Sequence, residues 1–260
     1  MLFEGNEAAI CLSLVALYLG ATEVGYRLGV RRRARSDESD KSHIGSLQGA
    51  LLGLLALLLG FSFAMAVGRY DTRRALVIKE ANAIGTTYLR TDFLPSEQGA
   101  QARKLLSAYV DARLQYVNAK VDRDSLTRAI ATSSSLQAQL WSIAANATNQ
   151  EPRSVATGLF VASLNEVIDV SEERLAAFYA HVPEAVLALL VAVSCGALCF
   201  IGYGCGLNGR RRLPSTITFN ILTAMVLLIV LDMDRPREGL VRVSQDSMLR
   251  LQDSLRNEAP

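Results

Sequence analysis

Hydrophobic residues fall into four long blocks along the chain, separated by polar and charged stretches. The blocks cover residues 8–26, 44–68, 185–209 and 213–231. An α-helix needs about 20 residues to cross the hydrocarbon core of a bilayer, whereas an open strand would leave its backbone groups without hydrogen bonds there. Each block therefore predicts one transmembrane helix, with Glu23, the only charged residue in the four blocks, near an interface.

The long polar segment between the second and third blocks has the periodicity of helices. Apolar residues recur three and four positions apart, as at Leu106, Tyr109 and Val110, and the alternation that is typical of strands is missing. Pro95 and Pro152 mark interruptions. We expect helices near 70–93, 97–119, 123–148 and 153–181, the first of them continuing directly from the second transmembrane helix.

These patterns predict an all-α, polytopic membrane protein with a helical domain inserted between transmembrane helices 2 and 3. The expected parts are 1–68 with the first two transmembrane helices, 69–182 as the helical domain, 183–231 with the last two, and 232–260 as a C-terminal segment. Membrane lipid is therefore an expected partner. The net charge is only +2, which gives no basic field for nucleic acid. Phosphate-binding loops, nucleophile elbows and dinucleotide fingerprints are missing from the sequence, so we expect no enzyme.

Small residues follow one face of the second transmembrane helix at spacings of three and four. The members expected to pack against another helix are Gly49, Gly53, Gly60 and Ala64. Lipid tails are as apolar as leucine, so membrane helices associate by close packing, which small side chains permit. The face could pack against other subunits of an assembly or against helices of its own subunit, and the pattern alone does not decide between these.

A second face of the same helix carries large apolar side chains one turn apart, at Leu57, Phe61 and Met65. Such a face can contact lipid, or it can form a hydrophobic constriction in a pore. Spacing alone does not choose between the two interpretations.

Three arginines follow this helix at Arg69, Arg73 and Arg74. At a membrane boundary, arginines commonly act as interfacial anchors. In a symmetric assembly around the second helix they would instead form a basic ring that attracts anions into a pore. Asp71 and Glu80 are the acids expected to pair with Arg69.

Two carboxylates, Asp232 and Asp234, close the fourth transmembrane helix, where negative charge opposes the helix dipole. Together with backbone oxygens they could bind a hard cation. The alternative is that they pair with the neighbouring Arg235 and Arg237.

Several stretches resemble the bacterial bestrophin-like family of membrane proteins. They are GFSFAM at 60–65, RYDTRR at 69–74, EANAIGT at 80–86 and DMDRP at 232–236. The resemblance implies a homo-oligomer, a pentamer if it follows the bestrophins, that passes chloride-like anions through a neck formed by the second transmembrane helix. Phe61 occupies a position similar to a bestrophin neck aromatic, while Tyr70 and Asp71 replace the paired tryptophans of bestrophins.

The resemblance also bears on cofactors. Asp232 and Asp234 are similar to a shortened form of the calcium clasp of bestrophins, whose longer acidic run this chain lacks. We expect no cofactor, and calcium at these two residues is the one exception that the resemblance suggests. No other metal site is indicated.

Two functions follow as expectations. The first is a passive anion channel whose neck is formed by the second transmembrane helix. The alternative is a non-conducting membrane sensor or scaffold whose helical domain binds a partner or a ligand. A channel requires the second helix at a symmetry axis, whereas a sensor requires only a stable helical bundle.

Location in the bacterial inner membrane is expected, but two arguments on sidedness disagree. The first loop contains Arg31, Arg32 and Arg33, and the loop before the fourth helix contains Arg210, Arg211 and Arg212. Short basic loops prefer the cytoplasm, which would put the helical domain outside. Bestrophins have the domain inside, and the sidedness stays open at this point.

Overall fold

The structure is a computed structural model that describes residues 7–118, 123–234 and 241–257. Its regular elements in these ranges are helices, with no strand among them, so the all-α prediction is confirmed. The helices are α1 (Glu7–Arg32), α2 (Glu38–Leu89), α3 (Ser96–Asn118), α4 (Arg123–Gln150), α5 (Val155–Tyr179), α6 (Glu184–Leu207), α7 (Leu213–Asp234) and α8 (Asp246–Asn257), with single 3-10 turns at Arg33–Arg35 and Arg90–Phe93.

Four helical stretches in the described part of the chain are long and apolar enough to cross a membrane, as predicted. The second block and the first helix of the polar segment form one helix, α2, of 52 residues. Helix α2 contains no proline. It ends at Leu89 and is followed by the 3-10 turn, which lies just before Pro95. Leu94 adopts an extended conformation (φ −91°, ψ 158°), the conformation favoured before proline.

The chain divides into two compact units. Residues 1–68 and 181–235 form the first, here called the membrane unit, and residues 69–180 and 236–260 form the second, the helical unit. In the membrane unit, Tyr18 of α1, Leu198 of α6 and Leu227 of α7 are fully buried in one apolar cluster.

The closest helix packing in the membrane unit is between α1 and α6. Gly25 of α1 and Gly202 of α6 both lie against the backbone of the opposite helix. A Cβ atom added at Gly25 would lie 2.7 Å from the carbonyl carbon of Cys199, and one at Gly202 would lie 2.9 Å from the carbonyl carbon of Thr22. Real Cβ atoms do not approach backbone this closely, so the crossing requires glycine at both positions.

The core of the helical unit combines the second half of α2 with α3, α4, α5 and α8. Its fully buried side chains include Ile84, Leu106, Tyr109, Phe160 and Met248. Helix α8 lies in the segment 232–260, for which no helix was expected. Its apolar residues at 248, 251 and 255 are three and four apart, which is the signal that predicts an amphipathic helix.

Candidate functional site

Helix α2 has one side that its own membrane unit covers. Leu55, Ser62 and Ala66 on this side are buried, and Leu58 and Leu59 pack against the apolar cluster of the unit. Ser62 satisfies its hydroxyl within the helix by donating to the carbonyl oxygen of Leu58 at 2.8 Å. The side that packs within the chain is therefore apolar or internally hydrogen-bonded.

The predicted neck residues lie on another side of α2. Leu57, Phe61 and Met65 are 54%, 62% and 43% exposed. They are four positions apart, so they form one stripe along the helix. In a single chain this stripe of large apolar side chains is uncovered, and it requires either lipid or other subunits around it.

The small residues of α2 are uncovered as well. A Cβ atom added at Gly49, Gly53 or Gly60 would meet no atom within 4 Å, and Ala64 is exposed. Packing of this face within its own subunit, one of the two interpretations of the sequence, is therefore wrong. Close packing within the chain is carried by the glycines of α1 and α6 instead.

The three arginines that follow the neck have different environments. Arg74 is exposed and Arg69 is half-buried. Arg73 is buried in the helical unit, where its Nε donates to the carbonyl oxygen of Ala177 at 3.0 Å and its Nη2 to that of Ala180 at 2.8 Å. These carbonyls lie at the C-terminal end of α5, where helical carbonyls lack intrahelical partners and favour a cation. Arg73 thus stabilises a helix end and does not project as a member of a basic ring.

Glu80 is not the partner of Arg69 that the sequence suggested. Its side chain is fully buried in the helical unit between two arginines that are themselves almost fully buried. Nε of Arg113 lies 2.6 Å from Oε1 of Glu80, and Nη1 of Arg174 contacts Oε2. Two buried cations thus share one buried carboxylate, a charge arrangement that an apolar core tolerates only with paired, hydrogen-bonded partners.

Further polar groups of the helical unit extend this cluster. The Tyr109 hydroxyl lies 3.4 Å from Oε1 of Glu80 and accepts a hydrogen bond from Nε2 of Gln137 at 3.1 Å. Burial, and next the nearby charge of Glu80, raise the pKa of Tyr109 to about 12. Nη2 of Arg174 donates to Oε1 of Gln245 at 2.7 Å, which links the cluster to the residue just before α8.

Sequence reasoning missed this buried cluster. Arg113 and Arg174 are 33 and 94 positions from Glu80, so no local motif contains the three residues. One signal was available: Arg113 comes four positions after Tyr109 and therefore lies on the apolar side of α3. A charge on the buried side of an amphipathic helix indicates a buried ion pair.

The two predicted cation ligands at the end of α7 are both buried. Asp234 Oδ1 accepts a hydrogen bond from the backbone N–H of Val182 at 2.9 Å, and Oδ2 lies 3.4 Å from Nδ1 of His181. Asp234 thereby joins the end of α7 to the start of α6. The proposed arginine partners at 235 and 237 lie outside the described residues.

Calcium at Asp232 and Asp234 stays a prediction. Calcium takes six to eight oxygen ligands, and Oδ1 of Asp234 already accepts the N–H of Val182. Among the described residues, no group of three or more His, Cys, Asp or Glu side chains is arranged to hold a metal ion. The carboxylate of Asp234 is a structural acceptor in this arrangement.

Solved structures with a similar fold cover almost the whole chain. A tryptophan-to-alanine variant of a bacterial bestrophin homolog from Klebsiella pneumoniae is similar with a TM-score of 0.69 and 14% identity over 98% of both chains. A further structure of this homolog has a TM-score of 0.64 and 16% identity over 97% of this chain and 98% of that one. A variant described as a membrane protein has a TM-score of 0.65 and 15% identity, again over 97% and 98%.

The sequence comparisons point to the same family. No curated protein matches the chain. A sequence model described as the Bestrophin-like domain matches residues 14–248, which include most of the first apolar block, the other three blocks and the helical unit up to the first turn of α8. The chain therefore belongs to the bestrophin-like family of membrane proteins.

Proposed function

We propose that this protein is an oligomeric membrane channel that conducts anions passively through a hydrophobic neck formed by α2. The observation that carries the proposal is the exposure of Leu57, Phe61 and Met65, on a side of α2 that the rest of the chain leaves uncovered. Membership of the bestrophin-like family supports an anion channel over other membrane functions.

In this proposal several copies of α2 surround a common axis. The small residues at Gly53, Gly60 and Ala64 allow neighbouring copies to approach closely. A homo-oligomer is required, and a pentamer follows if the assembly is that of bestrophins. Because no atom of the same chain lies near a Cβ at Gly53 or Gly60, these positions are free to contact another copy.

In this proposal the neck resists ions by dewetting, and Arg69 beyond the neck favours anions by its charge. Rings of Leu57, Phe61 and Met65, each one turn apart, form an apolar constriction that resists hydrated ions without any charged gate. Arg69 follows Phe61 by about two turns and would raise the local anion concentration at the mouth of the neck. Arg74 can contribute to this field, whereas Arg73 is engaged with α5.

Ion flux in liposomes that contain the purified oligomer tests this function, with chloride and potassium measured separately. Phe61→Ala should widen and wet the neck and so increase chloride flux. Phe63→Ala removes the same side chain two positions away on another side of α2 and should leave the flux near that of the wild type. Arg69→Glu should shift the preference toward potassium, whereas Arg153→Glu in the helical unit should not.

One result would overturn the channel. If wild type and Phe61→Ala both lack flux in protein shown to be folded and oligomeric, the neck does not conduct. Equal increases for Phe61→Ala and Phe63→Ala would instead place the conduction path away from the predicted stripe.

One observation favours the alternative of a sensor or scaffold. The helical unit has an open groove of about 450 Å³ between α4 and α5, lined by Trp141, Thr148, Pro152, Val161 and Asn165 among others. Grooves that combine an aromatic side chain with a few polar groups are typical of ligand sites. Quenching of Trp141, the single tryptophan of the chain, by a bound compound would support this alternative, provided that flux is absent.

The bacterial inner membrane is the location that we propose, since the spans are helical and the bestrophin homolog in the comparisons is bacterial. A reporter fused after Gln150 would determine the side of the helical unit. Activity of a periplasmic reporter alone supports an outside domain, as the basic loops indicate, and activity of a cytoplasmic reporter alone supports the bestrophin arrangement.

A further inference from the structure

Arginines are concentrated at two places that border apolar spans of the membrane unit. One group follows α1, and the other forms the loop between α6 and α7. The first contains Arg31, Arg32, Arg33 and Arg35, and the second contains Arg210, Arg211 and Arg212. The two groups lie far apart in the sequence, and all seven arginines are exposed.

The fold brings the two groups together. The loop turns at Gly209, which has a positive φ of 65°, and the guanidinium of Arg33 lies against it: a Cβ atom at Gly209 would be 2.7 Å from Nη2 of Arg33. Arg211 of the loop forms an ion pair with Glu23 of α1 and lies over the ring of Tyr26, 4.7 Å from its centroid. The loop is therefore fixed against the end of α1, and the two groups form one basic cluster.

The acids near this cluster already have partners, and one of these partners, Arg211, belongs to the cluster. Glu23 binds Arg27 as well as Arg211, and Glu38 binds Lys41. Asp37 and Asp40 bind each other's backbone N–H groups.

The remaining cations are in excess. Residues 23–41 and 210–212 contain nine basic and four acidic side chains. Within the described part of the chain, no ion pair is formed by Arg33, Arg35, Arg210 or Arg212. The cluster thus presents several guanidinium groups with unused donors on a rigid support.

We propose that this basic cluster binds the phosphate of an anionic phospholipid headgroup. A guanidinium presents a planar fork of N–H donors that matches phosphate oxygens, and paired guanidiniums recognise one phosphate better than single ones. The cluster adjoins the polar ends of α1, α6 and α7, so its donors lie where the apolar spans end and headgroups begin. This position favours a lipid over a phosphate free in solution, and basic pockets between transmembrane helices are known to suit anionic headgroups.

The proposal is independent of ion conduction, because it concerns neither the neck nor Arg69. It can be tested in the full-length protein by moving the single tryptophan. Trp141→Phe combined with Leu213→Trp puts the fluorophore next to Arg212, at a position that is half exposed. The protein is reconstituted in vesicles of phosphatidylcholine containing one-fifth phosphatidylglycerol, with bromine on the acyl chains of one lipid or the other.

Brominated phosphatidylglycerol should quench this tryptophan more strongly than its share of the lipid predicts. Arg33→Gln with Arg210→Gln should reduce the preference by about thirtyfold, given the attraction of each arginine to an anionic surface. Arg35→Gln with Arg212→Gln should also reduce it, and this second pair guards against a fold defect caused by the first. Lys104→Gln with Arg153→Gln removes the same charge from exposed positions of the helical unit and should keep the preference.

Three results would overturn the proposal. The first is equal quenching by the two lipids in protein with unchanged oligomeric state. The second is a preference that the control pair reduces as much as the cluster pairs, since that indicates only net charge. The third is a preference abolished by millimolar inorganic phosphate with no effect of the lipid in its presence, which would assign the cluster to free phosphate.

Discussion

Gly25 of α1 lies directly against the backbone of Cys199 in α6, and Gly202 of α6 lies in the same way against Thr22 of α1. The contact is reciprocal: each helix offers a glycine to the carbonyl group of the other. Gly29 and Gly206, one turn further along, repeat the arrangement. Both helices therefore carry glycines four positions apart, the spacing at which small residues permit backbone-to-backbone contact in membranes.

This contact predicts a strong effect of a single methyl group. Gly25→Ala and Gly202→Ala should each destabilise the membrane unit by about 1–3 kcal/mol, because backbone atoms cannot rotate away as a side chain can. Gly20→Ala and Gly196→Ala are the matched controls in the same two helices, since a Cβ atom there meets nothing within 4 Å. Thermal unfolding in detergent measures the difference. Equal melting temperatures for all four variants would mean that α1 and α6 are not packed this closely.

The glycines also show which packing contacts could be predicted from the sequence and which could not. The small residues of α2 predict a packing face, and this stays a prediction, because the pattern does not identify the partner helix. The same spacing occurs at Gly25 and Gly29 and at Gly202 and Gly206, which belong to α1 and α6. Only the tertiary structure distinguishes glycines that contact backbone within the chain from those, such as Gly53, that contact nothing in it.

The buried position of Glu80 predicts that its charge is needed for folding. Glu80→Gln keeps the shape but removes the buried negative charge that Arg113 and Arg174 share, which should cost about 3–5 kcal/mol. Glu166→Gln is the control, because Glu166 pairs with Lys79 on the surface at 3.5 Å and half-exposed pairs contribute at most about 1 kcal/mol. Chemical unfolding in detergent compares the two. An equal loss for both variants would contradict the role assigned to Glu80.

Tyr109 predicts a stability change at alkaline pH. Its pKa is raised from 10.0 to about 12, first by burial and then by the charge of Glu80, so the folded state holds the proton more tightly than the unfolded chain. The contribution is complete below pH 10 and is lost as pH rises to about 12. Tyr109→Phe should therefore reduce the slope of stability against pH in this window, as measured by unfolding at several pH values. An unchanged slope would mean that Tyr109 titrates at its ordinary pKa.

In the helical unit, local features could be predicted from the sequence, whereas contacts between distant residues could not. Helices α3, α4 and α5 follow from local periodicity and from breaks at Pro95 and Pro152. The ion pairs of Glu80 join α2, α3 and α5 across long separations, so no window of the sequence contains them. Helix α8 is short. Its apolar side becomes buried only in the tertiary structure, where Met248 is fully enclosed by the core of the helical unit.

The hydrogen bond between Asp234 and Val182 leads us to expect that the protein is equally stable with and without calcium. Asp234→Asn retains an oxygen for the N–H of Val182 and should have little effect on stability, whereas Asp234→Ala leaves that buried N–H unpaired and should cost about 1–3 kcal/mol. Calcium or a chelator should not change the melting temperature of the wild type. A calcium-dependent increase that Asp234→Asn abolishes would show that the carboxylate is a cation ligand after all.

The open small-residue face of α2 predicts that bulk added there affects assembly and not the fold of the single chain. A leucine at Gly53 or Gly60 meets no atom of its own chain near Cβ, so Gly53→Leu and Gly60→Leu should leave insertion and helix content unchanged. If copies of α2 contact one another through this face, the same leucine separates them and weakens the interface by about 1–3 kcal/mol. The crosslinked oligomer should then decrease relative to wild type. Gly20→Leu adds the same side chain to an open position of α1 and should assemble normally. Normal assembly of both α2 variants would assign the face to lipid, and α2 could not then line a central pore through close contact of its copies.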